Sequence, residues 1–179
     1  LSRWGRGRPT SKGVYFEAAD RPPTEVLERA LQSAVGSPDP YGKQSDGKGA
    51  AISSTSEVVI LRKSDRRGPD VDLFLGQVAI DKLFIDWSGK CGNLTAAVGP
   101  FSVSEGLVAA PRNGIATVRI RQADTGHGIV VRDPVKDGQV VEEGGWERDR
   151  VSVTSRGEFV VSRRHAGAPL ASPGASAFV

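Results

Sequence analysis

The sequence predicts an α+β fold on three observations. Strand-like runs outnumber helical ones, a strongly amphipathic helix follows the first strand, and a tight hairpin turn joins the later strands. The few helices are expected to pack against a curled sheet. The first strand is Gly13–Glu17, GVYFE. Thr24 then reads as an N-cap, with Glu25 and Glu28 favouring the positive end of a helix. Leu27, Ala30, Leu31, Ala34 and Val35 give that helix one apolar face. Gly36 is placed to end it and Pro38 to block its continuation.

Residues 38–56 are rich in Gly, Ser, Asp and Lys and read as a long loop, a length that in compact domains often serves function. Strands follow at Glu57–Leu61, Val71–Ile80 and Lys82–Asp86, with a charged loop, Arg62–Pro69, between the first two. A turn at Cys91 leads into a helix through Leu94, Ala97 and Val98, which Gly99-Pro100 is expected to kink or end. Strands resume at Ile115–Arg121 and Gly128–Arg132, and Lys136-Asp137-Gly138 turns the chain back into Gln139–Val141. Beyond Gly144 the alternation weakens through Val151, Val153, Phe159 and Val161. The stretch Ala166–Ser176 is rich in Pro, Ala, Ser and Gly and is expected to be poorly ordered.

The composition excludes several function classes. With 38% hydrophobic and 25% charged residues and a net charge of +3, the 179-residue chain suits a globular domain with an anionic partner. Its single cysteine excludes an internal disulfide and points to a reducing, cytoplasmic setting. No run approaches the ~18 apolar residues of a membrane span, so no membrane partner is expected. Residues 1–8 read as a flexible N-terminal segment, and their Arg/Gly/Trp pattern is too short to predict a nucleic-acid partner. His127 and His165 stand at no metal-ligand spacing, and Gly47-Lys48-Gly49 lacks the spacing of a phosphate-cradling loop. No metal or cofactor is therefore expected.

The richest chemical signal is Asp86–Phe101, DWSGKCGNLTAAVGPF. Cys91 stands where a helix begins, and unpaired N–H groups there stabilise a thiolate able to trade protons with a carbon acid. Read from the residues alone, Cys91 is either that reactive thiol or a small buried side chain. Asn93 is either a ligand-holding residue or a cap, and Ser11 either a substrate contact or a turn residue.

Several segments together carry a resemblance: Thr10–Phe16 (TSKGVYF), Gly36-Ser37-Pro38-Asp39, Ser54-Thr55-Ser56, Asp70-Val71-Asp72, Gln77-Val78 and the whole Asp86–Phe101 run. In combination they resemble the methylaconitate cis–trans isomerase family, which has the diaminopimelate-epimerase fold. The resemblance spans Arg8 to Gly144 and corresponds to the family's N-terminal lobe, here residues 9–144, leaving 145–179 as a divergent, poorly ordered tail. It implies a curled, mostly antiparallel sheet wrapped around a central helix. It also implies a cofactor-free isomerase or tautomerase that shifts a proton or double bond in a small unsaturated polycarboxylate. Cys91 matches the family's catalytic thiol, while Thr10, Ser11, Gly92 and Asn93 match residues that hold substrate carboxylates.

Three departures from the family pattern bear on activity. Glu57 stands where the family has a lysine that assists proton transfer, so it becomes the second, altered proton-transfer position. Arg8-Pro9 replaces a Gly-Gly pair, removing an N–H and fixing φ beside the Thr10-Ser11 loop. The family's second lobe has no counterpart in these residues, so a truncated member is expected, with an Arg/Ser/Ala/Pro-biased tail that looks out of frame. Either a homodimer or a separate second lobe would then be needed to close the cleft. Without one, the expectation is an inactive remnant or a carboxylate-binding lobe.

Overall fold

The computed structural model describes residues 11–17, 25–89, 92–141, 146–153 and 159–165, and of residues 25, 92, 93, 146–153 and 159–165 it describes the backbone alone. In chain order the elements are β1 (Gly13–Glu17), α1 (Glu25–Val35), β2 (Glu57–Lys63), β3 (Val71–Val78), β4 (Ile85–Asp86), α2 (Gly92–Thr95), α3 (Val98–Ser104), β5 (Asn113–Gln122), β6 (Gly128–Lys136), β7 (Gln139–Val140), β8 (Trp146–Val153) and β9 (Phe159–His165). The strands form one sheet in the order β1-β2-β3-β5-β6-β9-β8, with β4 added beside β3 and β7 beside β6. The sheet is mixed: β1·β2, β3·β5 and β6·β9 run parallel, and the other five pairings run antiparallel.

Side-chain alternation along β2 explains why this strand sits deep in the sheet. Val59 and Leu61 point to one face and join Tyr15, Leu73, Leu75, Leu94, Phe101, Val118, Ile120 and Val131 in the main core. Val58 and Ile60 point to the other face and pack with Leu31 and Val35 of α1, and with Val78 and Ile85. Each such fully buried aliphatic side chain contributes roughly 1.5–3 kcal/mol. Helices thus lie on both faces: α1 on one, the α2–α3 pair on the other.

The α1 helix forms as its apolar spacing predicts and stops where Gly36 takes φ +85°, a left-handed conformation open to glycine. The following loop wraps its last turn. Gly36 N–H donates to Ser33, Ser37 N–H to Gln32, Lys48 N–H to Ala34 and Gly49 N–H to Val35, so the terminal carbonyls are satisfied by backbone. Gln44, 1% exposed, organises this loop from within. Its amide donates to Ser37 Oγ at 2.8 Å, and its carbonyl accepts from Ala51 N–H at 2.9 Å and from Ser56 Oγ at 2.6 Å.

Several expectations are altered. The central helix is two short helices instead of one, and Pro100 lies in the first turn of α3, where its missing N–H costs nothing. The expected strand Lys82–Asp86 shrinks to Ile85–Asp86, because Leu83 and Phe84 are exposed and form no ladder. Strands β8 and β9 fall within residues 145–179: β9 pairs with β6 and β8 with β9. The Thr24 cap and the Ala166–Ser176 segment lie outside the described residues.

Candidate functional site

Two of the candidate residues, Ser11 and Glu57, lie at the start of β1 and β2. Ser11, 7% exposed, enters β1 beside the 3-10 turn Ser53–Thr55, which Lys12 N–H reaches by donating to Ser54 O at 2.8 Å. Gly13 stands opposite Glu57 in the parallel β1·β2 register. Glu57, also 7% exposed, therefore opens β2 within reach of the chain that carries Ser11. Gly13 in turn lies against the side chain of Leu94 in α2. The backbone of α2 begins at Gly92, so Ser11, Glu57 and the Gly92–Thr95 turn gather at one end of the sheet. Thr10 and Cys91 lie outside the described residues, and of Gly92 and Asn93 only the backbone is described.

Tertiary hydrogen bonds fix the α2 segment from several sides. The Tyr15 hydroxyl, on a residue 2% exposed, donates to the Leu94 carbonyl at 2.6 Å. The Gln122 amide donates to the Gly89 carbonyl at 3.0 Å from the end of β5. Farther back, Trp87 Nε1 donates to Glu28 of α1 at 3.0 Å. On the far side of the helix break, the buried carboxylate of Asp133 lies over Gly99: a Cβ built there would stand 2.0 Å from Asp133 Oδ2. Only glycine fits at that position in the first turn of α3. Tyr15, Gln122 and Asp133 carry no signal of this role in the sequence, since each reads as an ordinary strand residue until the fold brings its partner near.

The nearby carboxylates differ in what holds them. Asp86 sits below the ordinary carboxylate range because the hydroxyl and then the N–H of Ser88 bond to it. At the opposite end of β2 and β3, burial would push the Asp72 carboxyl up. The hydrogen bonds from Arg62, Ser64 and Arg121 outweigh that and hold it low. A cleft of about 530 Å³ opens beside the C-terminal end of α1, lined by Ser37, Asp39, Tyr41, Lys43 and Asp46. Ser11 and Glu57 do not line it, and Asp39 already accepts three backbone N–H bonds, from Tyr41, Lys43 and Gln44, so its carboxylate serves the loop. His127 is exposed, and among the described residues no three His, Cys, Asp or Glu side chains gather as metal ligands. No helix among them is long and apolar enough to cross a membrane.

Comparison with known proteins adds an independent finding. A model of the PrpF protein family matches residues 4–166, reaching past the Gly144 limit set by the motifs. The 2-methyl-aconitate isomerase of Cupriavidus necator is 54% identical over 151 residues, covering 80% of this chain and 38% of its own length. The same enzyme of Shewanella oneidensis is 52% identical over 151 residues, with the same coverage of 80% and 38%. The 4-oxalomesaconate tautomerase of Pseudomonas putida is 44% identical over 144 residues, covering 79% of this chain and 39% of its own length. A crystal structure of methylitaconate-delta-isomerase superposes with a TM-score of 0.70 at 33% identity, covering 78% of this chain and 62% of that one. The chain thus spans well under half the length of the curated relatives it matches.

Proposed function

We propose, from the premise that this chain belongs to the PrpF protein family, that it is one lobe of an isomerase shifting a proton or double bond within a small unsaturated di- or tricarboxylate, without a cofactor. The observation that carries this reading is the 54% identity to a 2-methyl-aconitate isomerase across 80% of the chain. The curled mixed sheet with helices on its faces supports a lobe of diaminopimelate-epimerase type.

In this reading Cys91 is the acid/base thiol, beside the amides that open α2. A base removes a proton made acidic by conjugation, backbone N–H groups hold the charge that develops on the carboxylate side, and an acid returns a proton elsewhere. Thr10, Ser11, Gly92 and Asn93 hold the substrate carboxylates, and Glu57 occupies the second proton-transfer position.

Glu57 also favours a second reading, a lobe that binds carboxylates without turning them over. A carboxylate about 4 Å from an anionic substrate costs about 4 kcal/mol at an effective dielectric of ~20. Incubation with 2-methylaconitate in D2O separates the two readings. The enzymatic reading predicts deuterium incorporation well above that of a Cys91→Ala variant, and incorporation no faster than the variant's removes it. Glu57→Lys, which restores the family's residue, is expected to raise the rate.

A further inference from the structure

We infer that Gln77 is a specificity-determining residue of the isomerase site, and that it takes a neutral hydrogen-bonding group of the ligand, a hydroxyl, where a third carboxylate would be refused. The inference rests on the reading of the chain as a carboxylate isomerase, and among the substrates of that reading it favours a hydroxylated dicarboxylate over a tricarboxylate. Two pairings place the residue. Glu57 of β2 stands opposite Gln77 of β3, and Gln77 stands opposite Asp86 of β4. Directly opposed residues share one face of a sheet with Cβ atoms about 5 Å apart, so these side chains form a row. The row lies on the α2–α3 face, because Val59 and Leu75, the neighbouring same-face positions, point into the main core there. Ile85 packs on the opposite face, which leaves Asp86 on the face of the row.

The backbone holds this row in register. Val78 N–H donates to Ser56 O at 2.8 Å, carrying the β2·β3 ladder past Gln77. A Cβ built at Gly76 would stand 2.6 Å from Ile85 Cγ2 and 2.8 Å from Trp87 Cζ3, so glycine lets β4 close on β3 and keeps Asp86 beside Gln77. Within the row the hydrogen-bonding capacity is unequal. Asp86 Oδ1 accepts from the Ser88 N–H at 2.9 Å and from the Ser88 hydroxyl at 2.7 Å. Gln77 is half-buried, and its side-chain amide makes no hydrogen bond among the described residues. That amide is neutral and carries both donors and an acceptor, so it can pair with a ligand hydroxyl in either sense. A ligand carboxylate at the same spot would be repelled from both sides, by Glu57 and by Asp86. A bond to the right group and repulsion of the wrong one together make the row selective.

The test compares probes that differ only at their central carbon: glutarate, 3-hydroxyglutarate and tricarballylate, which carry there a hydrogen, a hydroxyl and a carboxylate. Each is titrated into the full chain and into Gln77→Leu, and binding is followed by NMR of the side-chain amides. The unmodified chain is expected to bind 3-hydroxyglutarate about tenfold more tightly than either other probe. The Gln77 amide signal is expected to move on titration, while those of Gln44 and Gln122, already bonded to Ser37 and Gly89, stay in place. Gln77→Leu is expected to erase the preference. An equal or reversed preference in the unmodified chain, a preference that survives in Gln77→Leu, or no saturable binding of any probe overturns the inference. If Gln77→Leu does not fold, the probe series and the Gln77 signal in the unmodified chain decide. Selective binding with no deuterium incorporation into 2-methylaconitate leaves this inference standing and counts against the enzymatic reading. Incorporation without the selectivity does the reverse.

Discussion

The two faces of the sheet carry helices of opposite character. On one face α1 is an 11-residue amphipathic helix that ends on its own glycine and is capped by the loop that follows it. On the other face the α2–α3 pair is broken after four residues and is held by Tyr15, Gln122 and the close contact of Asp133 with Gly99. The first helix is closed by partners near in sequence, the loop that follows it. The second exists because distant strands hold it, with Tyr15 and Leu94 79 residues apart. The difference teaches how each helix is ended and held: α1 is closed by its own loop and packs its apolar face on β2, β3 and β4, whereas the α2–α3 pair is tied by side chains of distant strands.

Truncations in the two helical cores test this contrast most strongly. Phe101→Ala is expected to cost about 4 kcal/mol and Leu31→Ala about 3 kcal/mol, both read by urea unfolding. Amide exchange in residues 92–97 is expected to accelerate in the folded fraction of the first variant alone. If Leu31→Ala loosened that segment equally, the two faces would be one cooperative unit and the contrast would fail.

Gly99→Ala is expected to cost about 1–3 kcal/mol, because the new methyl group meets the buried Asp133 carboxylate and Val131 Cγ1. A melting temperature matching the unmodified chain's would show that α3 can slide away from β6, and the dependence on the sheet would be weaker than described.

The next effect concerns pH and the end of the sheet remote from the site. Asp72 is 1% exposed and carries ion pairs to Arg62 at 2.8 Å and Arg121 at 3.4 Å. Its folded-state pKa lies below the ordinary value of 3.8. Its contribution to stability is therefore full above that value and is lost as pH falls through the lower folded one. Asp72→Asn is expected to lower stability at neutral pH and to flatten the acid limb of a stability-against-pH curve. An unchanged acid limb would show that other carboxylates govern it. The smallest expected effect is that of Trp87→Phe, which removes the bond to Glu28 linking the segment after β4 with α1; about 1 kcal/mol is expected by thermal melting.

Much of this fold was legible before any coordinates. β1 and α1 lie where periodicity and the Gly36 stop place them, and the Lys136-Asp137-Gly138 turn returns the chain into β7 as its residue types predict. The halves of the fold that misread share one cause. Gly99-Pro100 was expected to kink or end a helix but lies in the first turn of α3, and the weakly patterned β8 and β9 join the sheet through pairings that no short window of sequence encodes. At the site, the family resemblance singled out Ser11 and Glu57, and the β1·β2 register brings their segments together. Thr10 and Cys91 stand outside the described residues. Tyr15 and Gln122 could not be found from sequence, because a tyrosine or glutamine in a strand announces a role only when its acceptor is known.

What the residues decided by themselves is whatever depends on neighbours within a few positions: the amphipathic helix, the glycine stop, the hairpin turn, and the family motifs around the lone thiol. The tertiary structure alone decided which carbonyls the buried Tyr15 and Gln122 would take, why Gly99 must lack a side chain, and how Asp72 keeps its charge inside the sheet. The physical reason is that hydrogen bonds and ion pairs in a dry interior act at contact distance, and contact between residues far apart in sequence is a property of the folded chain.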